Sequence, residues 1–217
     1  MFHHKFHTSI GFSALAAGLM LVFGASYPTE AQTPPKEIRF QLYPNKKFLA
    51  CMAASPYVTP TVNVVVKRGE VNDEMTLALS NFKSGLQFDL FTLKNTIQQA
   101  NGSPTPNFRN FGLAWYQSDI KIGSNPTQVT IKTILLDQIF GFDPEVNLPP
   151  TNTFHVGFWF NNPADAAACG FNGPPTPFNG EQKAGPLGFI SRPNAYTGLG
   201  PLCSNPNTYT SPPTCNP

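Results

Sequence analysis

Apolar and polar positions alternate with a period of two along much of this chain, the pattern of strands that turn one face to a core. Residues 36–42 (KEIRFQL) place Ile38, Phe40 and Leu42 on one side and Glu37, Arg39 and Gln41 on the other. Residues 61–67 are rich in β-branched side chains, with Val62, Val64 and Val66 sharing a face and Arg68-Gly69 closing the run. A polar turn at 70–74 followed by a second extended run at 75–79 predicts a hairpin. Aromatic-rich runs of strand length follow at 87–93 (QFDLFTL), 111–118 (FGLAWYQS) and 153–160 (TFHVGFWF), a β-branched run lies at 128–136 (QVTIKTILL), and 188–191 adds a short strand. Helical signals are confined to single turns at 96–100 and 164–168, because Pro and Gly interrupt the chain at short intervals. Short strands joined in this way predict an all-β fold, an antiparallel β-sandwich of jelly-roll or immunoglobulin-like type with long Pro/Gly-rich loops.

The N-terminus departs from this pattern. A basic start, Met1-Phe2-His3-His4-Lys5-Phe6-His7, precedes an uncharged apolar run at 12–25, the two leading regions of a secretory signal. That run is shorter than the roughly 20 residues a spanning helix requires, which favours a cleaved signal over a retained anchor. Thr29 and Ala31 meet the small-residue rule for cleavage and give a mature chain starting at Gln32, whereas cleavage after Ala25 would put bulky Phe23 at a small-residue position. The expected organisation is a signal peptide at 1–31, a β-domain at 32–203 and a Pro/Asn/Thr-rich tail at 204–217. The product is expected to be secreted, periplasmic or on the cell surface, with no membrane span once the signal is removed.

Charged residues make up 12% of the chain while phenylalanine occurs 19 times, and ordinary proteins carry about 25% charge. This composition argues against a disordered chain and for a packed domain. The net charge of +2 comes from scattered basic residues, so nucleic acid is not an expected partner; a neutral polysaccharide or another surface protein is. Cys51, Cys169, Cys203 and Cys215 all fall in the mature region and predict two disulfides. The favoured pairing is Cys169–Cys203 with Cys51–Cys215, and Cys203–Cys215 is the local alternative. None of the four has the short spacing of a zinc site.

His155 is the one histidine from Gln32 onward, which removes multi-histidine metal sites within one copy. Its alternation places it opposite Phe154, Val156 and Phe158, on a polar face where it reads as a solvated or hydrogen-bonded side chain. No G-x-S-x-G elbow supplies a serine nucleophile. Asp89, Asp119, Asp137, Asp143 and Glu181 lie near aromatics and are the acids from which a glycan hydrolase would draw its pair, which must stand roughly 5–10 Å apart. The acids of 70–74 suit a hard cation such as calcium but also ordinary turn chemistry. Trp115, Tyr116 and Trp159, with His155, are the candidate ligand-binding residues, since exposed aromatic faces stack on sugar rings. No cofactor motif is present.

The runs FGLAWYQSD, TILLDQIFGFDP and NTFHVGFWFNNP, with PFNGE and AGPLGFIS after them, are similar to a group of exported bacterial proteins without an assigned activity. The resemblance spans roughly residues 62–203 and implies export and one compact β-rich domain. The sequence therefore predicts a non-catalytic binding module with carbohydrate as the candidate ligand; a glycan-acting hydrolase and a structural envelope or matrix protein are the alternatives.

Overall fold

The structure, a computed structural model, describes residues 35–70, 72–123, 126–133, 155–173, 176–178 and 181–215. The expected signal peptide and its cleavage site, Phe154, and the acids Asp137 and Asp143 lie outside them. Strands β1 (Glu37–Pro44), β2 (Thr61–Lys67), β3 (Asp73–Ser80) and β4 (Gln87–Leu93) come first. They are followed by β5 (Ala114–Lys121), β6 (Thr127–Thr133), β7 (His155–Phe160), β8 (Thr176–Phe178), β9 (Glu181–Ala184) and β10 (Leu187–Ser191), and last come β11 (Pro206–Asn207) and β12 (Thr214–Cys215). The all-β expectation holds. Where two facing sheets were expected, the main strands instead form one eight-stranded antiparallel sheet in the order β5-β4-β7-β10-β1-β2-β3-β6, while β8–β9 and β11–β12 are separate hairpins.

That sheet curves nearly into a barrel, bringing its edge strands β5 and β6 near each other. An eight-stranded barrel has an interior just wide enough for side chains to fill. Val62, Val64 and Val66 of β2 and Met75, Leu77 and Leu79 of β3 are all buried, each run alternating with more exposed positions. Phenylalanines occupy the centre: Phe88 lies 4.8 Å from Phe158, which stacks on Phe189 at 5.3 Å, and Phe82 meets Phe88 edge-on at 5.9 Å. The predicted hairpin forms from β2 and β3, in register from Thr61↔Ser80 to Lys67↔Glu74.

β4, β7 and β10 are buried along almost their whole length, because their outer face is covered as well. Phe91, Leu93, Trp159, Leu187 and Ile190 form a second apolar cluster there, capped by Ile97, Phe111 and Ala114. Ile97 and Phe111 belong to the loop between β4 and β5 and Ala114 opens β5, so Phe111, expected in a strand, serves as a lid residue. The helical turn expected at 96–100 is replaced by a loop in which Gln98 bridges Pro104.

A 3-10 turn at Lys46–Phe48 runs into a single α turn at Leu49–Met52, and a second 3-10 turn spans Pro163–Cys169, where a short helix was expected. The disulfides join Cys51 to Cys169 and Cys203 to Cys215. The favoured pairing is thus corrected, and the reason is the strand order. β1 and β7 both flank β10 antiparallel to it, so they run parallel to each other and end on the same side of the sheet, which brings the turns that follow them together. Cys203–Cys215 instead closes the tail on itself through β11 and β12. Two disulfides suit an oxidising compartment. Among the described residues no helix is long and apolar enough to cross a membrane.

Candidate functional site

The end of the sheet opposite the Cys51–Cys169 turns is where β4 and β10 finish and β7 begins. The loop after β4 and the turn after β10 rise from this end and enclose a cleft of about 690 Å³. Backbone hydrogen bonds close each wall: Gln99 N–H donates to Ser103 O at 2.8 Å and Thr105 N–H to Ile97 O at 2.9 Å, and on the other side Asn194 N–H donates to Leu199 O at 2.8 Å. The Asn194 side chain folds that turn by accepting from Tyr196 N at 2.8 Å and Thr197 N at 3.2 Å, the usual chemistry of asparagine in turns.

Side-chain bonds brace wall to wall. Thr96 Oγ1 donates to Ser191 O at 2.9 Å, and Arg192 Nε donates to Gln98 Oε1 at 2.7 Å. The Arg192 guanidinium lies 3.6 Å from the centre of the Tyr43 ring, a cation–π contact. It also fills the space over Gly102, which has φ +84 and whose Cβ position would come within 2.5 Å of Arg192 Nη2. Replacing Gly102 by alanine therefore forces a left-handed backbone on an L-residue and pushes Arg192 off Tyr43. We expect a loss of about 1–2 kcal/mol in thermal or urea unfolding. Gly123→Ala, whose added methyl would meet nothing within 4 Å, serves as the near-neutral control.

His155 opens β7 and lines the cleft. Only 4% of it is exposed, so of the two expected states it is the hydrogen-bonded and not the solvated one, because the outer face at this point is covered. Its Nδ1 lies 3.0 Å from Ser191 Oγ, which also accepts from Val156 N at 3.0 Å. Burial lowers its pKa from 6.5 to about 4, a fall that the nearby Ser191 backbone partly opposes, so the ring is neutral at neutral pH. Among the described residues Nε2 has no hydrogen-bond partner.

Around His155 the lining mixes polar and apolar groups. Asn95, Gln99, Asn110 and Asn194 contribute amides, Phe108 an aromatic ring, and Lys94 and Arg109 positive charge; among the described residues no carboxylate lines the cleft. None of these seven was singled out by the sequence. The signal that could have found one of them, Asn194, is the Pro193-Asn194 turn, which with Pro106-Asn107 brackets the site from segments far apart in the chain.

The remaining expected site residues are dispersed. Trp159 is 1% exposed and sits edge-on between Phe91 at 5.6 Å and Phe111 at 4.9 Å, so it builds core and offers no face to a ligand. Trp115 and Tyr116 are about half exposed, at 47% and 46%. As successive residues of β5 they pair with Thr92 and Phe91 on opposite faces of the sheet and make no common platform. Asp89 and Asp119 are direct partners across β4 and β5, but Asp89 is fully buried and accepts from Asn161 Nδ2 at 2.9 Å, and Asp119 accepts from Tyr116 Oη at 2.8 Å. Burial closes Asp89 to a substrate. In the polar turn, Asp73 is held by Arg68 Nη1 at 2.6 Å and Gly69 N at 3.1 Å, so that carboxylate serves the turn itself. The side chain of Glu181 is outside the described residues.

Comparison with known protein families, curated proteins and solved structures finds no match, and the resemblance to exported bacterial proteins rests on the sequence runs alone.

Proposed function

We propose that this protein is an exported, non-catalytic binding module that holds a small polyhydroxylated ligand, a saccharide unit, in the cleft above His155. The observation that supports this reading is the cleft itself. Its volume of about 690 Å³ falls in the range of small-molecule sites, and such sites combine an apolar or aromatic surface with a few placed polar groups. Here Phe108 supplies the ring and the amides supply the polar groups. They are of both kinds: Asn95 and Gln99 spend their amino ends on Asn110 O and Pro104 O, leaving carbonyl oxygens, while Asn110 and Asn194 spend their oxygens on backbone N–H groups, leaving amino ends. Sugar hydroxyls donate and accept, so they suit a mixed set of this kind.

The signal-like N-terminal sequence and two disulfides support an extracellular or periplasmic setting. The glycan hydrolase is the weaker reading because no carboxylate lines the cleft among the described residues. The test is an amide NMR titration of the oxidised protein from Gln32 onward with a panel of mono- and disaccharides. Shifts are expected in 94–110 and 193–198, with affinity falling about tenfold in Phe108→Ala, in line with the loss of one aromatic contact, and unchanged in Trp115→Ala. Shifts centred on Trp115 and Tyr116, or none with any sugar, would refute the cleft as the site.

A further inference from the structure

We propose that the cleft selects a sugar bearing an oxyanion, with Arg109 and Lys94 taking its charge and Nε2–H of His155 donating to one of its oxygens. This rests on the binding reading above and narrows its ligand class. The overall composition, weakly charged and with scattered basic residues, suggested a neutral partner, but charge is distributed unevenly at the scale of the site. Among the described residues the cleft is lined by two cationic side chains and by no acid, and neither cation is paired there with a carboxylate: the ion pairs among the described residues join Arg39 to Glu37 and Arg68 to Asp73. Two like charges beside one cavity raise the local concentration of an anionic ligand, and a guanidinium binds a carboxylate or sulfate through two parallel hydrogen bonds.

The floor of the cleft gives the same answer. Ser191 is fully buried, and its Oγ already accepts the N–H of Val156. We assign its own proton to His155 Nδ1, 3.0 Å away, which puts the proton of the neutral ring on Nε2. That nitrogen faces the cleft on a side chain that is only 4% exposed, in a lining where nothing among the described residues accepts from it. A ligand oxygen would accept from it in place of solvent. The cations stand at the solvent side and the donor at the floor. An acidic sugar can meet both, with its oxyanion outward and a ring or hydroxyl oxygen inward, while the amides take the remaining hydroxyls.

The experiment titrates galacturonate, galactose 6-sulfate, galactose and inorganic phosphate into the mature protein at neutral pH and low salt, following backbone amides and the His155 ring nitrogens. The acidic sugars are expected to bind at least tenfold more tightly than galactose and to move the Nε2 resonance. Raising the salt concentration should weaken them and not galactose, because exposed charges are screened. Lys94→Met/Arg109→Gln, changed at exposed positions, should erase the difference between acidic and neutral sugars while melting like the parent. Carboxylate and sulfate arms of unequal strength would identify which oxyanion the site prefers and support the proposal. Galactose binding as tightly as the acids overturns the oxyanion inference and leaves the saccharide cleft standing. Phosphate matching the acidic sugars without moving Nε2 overturns the role of His155, and silence from all four probes overturns the saccharide reading with it.

Discussion

Changing Cys51 and Cys169 together to alanine will lower the unfolding free energy of the protein from Gln32 onward by about 3–5 kcal/mol, the largest effect expected from any one cross-link here. The bridge joins positions separated by 118 residues, and the chain entropy that a cross-link removes from the unfolded state grows with the length of the loop it closes. It also pins two short helical turns that could not persist alone. Phe48, Met52 and Ala166 in these turns are buried against the inner core, and Phe48 packs edge-on against Phe160 at 6.4 Å. Removing the bridge frees the turns that seal this end of the sheet. Cys203 and Cys215 are separated by only 12 residues, so Cys203→Ala/Cys215→Ala should cost less, about 2–3 kcal/mol. Urea unfolding of the two double variants gives the comparison directly; the short bridge proving the more stabilising would overturn the loop-entropy account. Because the long bridge lies at the opposite end from the cleft, the folded fraction of Cys51→Ala/Cys169→Ala should bind ligand as the parent does.

The same geometry explains what the sequence disclosed and what it withheld. β2 at Thr61–Lys67 and β4 at Gln87–Leu93 were legible residue for residue, since β-branched and aromatic runs with clear breaks leave little freedom in assigning them. β5 begins at Ala114 rather than at Phe111. A period of two detects apolar side chains but not the layer they pack in, and here Phe111 packs on the outside of the sheet from a loop. A sandwich and a curved single sheet share one alternation pattern, so the choice depends on strand order, above all on β10 inserting between β1 and β7. That insertion also fixes the disulfide pairing and sets His155 beside Ser191. The cleft was hidden for the same reason: its walls come from 94–110 and 193–198, and no local motif joins them. Trp115 and Trp159 drew attention as large aromatics, yet one is core and the other stands apart from the cleft. The residues that line the cleft are ordinary amides and two cations whose meaning is their convergence.

Acid will destabilise this protein through His155, and the size and direction of the effect follow from its burial. The folded-state pKa is lowered from 6.5 to about 4, so between these values the unfolded chain holds a proton on the ring that the folded chain lacks. Stability therefore falls as the pH drops through 6.5, and the loss levels off near pH 4, where the folded ring takes up its own proton. Across that window the histidine alone costs about 3 kcal/mol, a large part of a typical stability of about 5–15 kcal/mol. Carboxylates titrate in the lower half of the same range, so the measurement is the difference between parent and His155→Gln, a variant that keeps a polar group for Ser191 but cannot titrate. The variant should lose stability more gently from pH 6.5 to 4, whatever its stability at pH 7. With His155 the one histidine from Gln32 onward, its ring resonance can be followed without assignment ambiguity, and a folded-state midpoint at pH 6 or above would refute the buried, neutral ring. Ligand should sharpen the effect: a sugar oxygen accepting from Nε2 engages the neutral folded state, so saturating galacturonate should move the acid unfolding midpoint to lower pH in the parent and much less in His155→Gln.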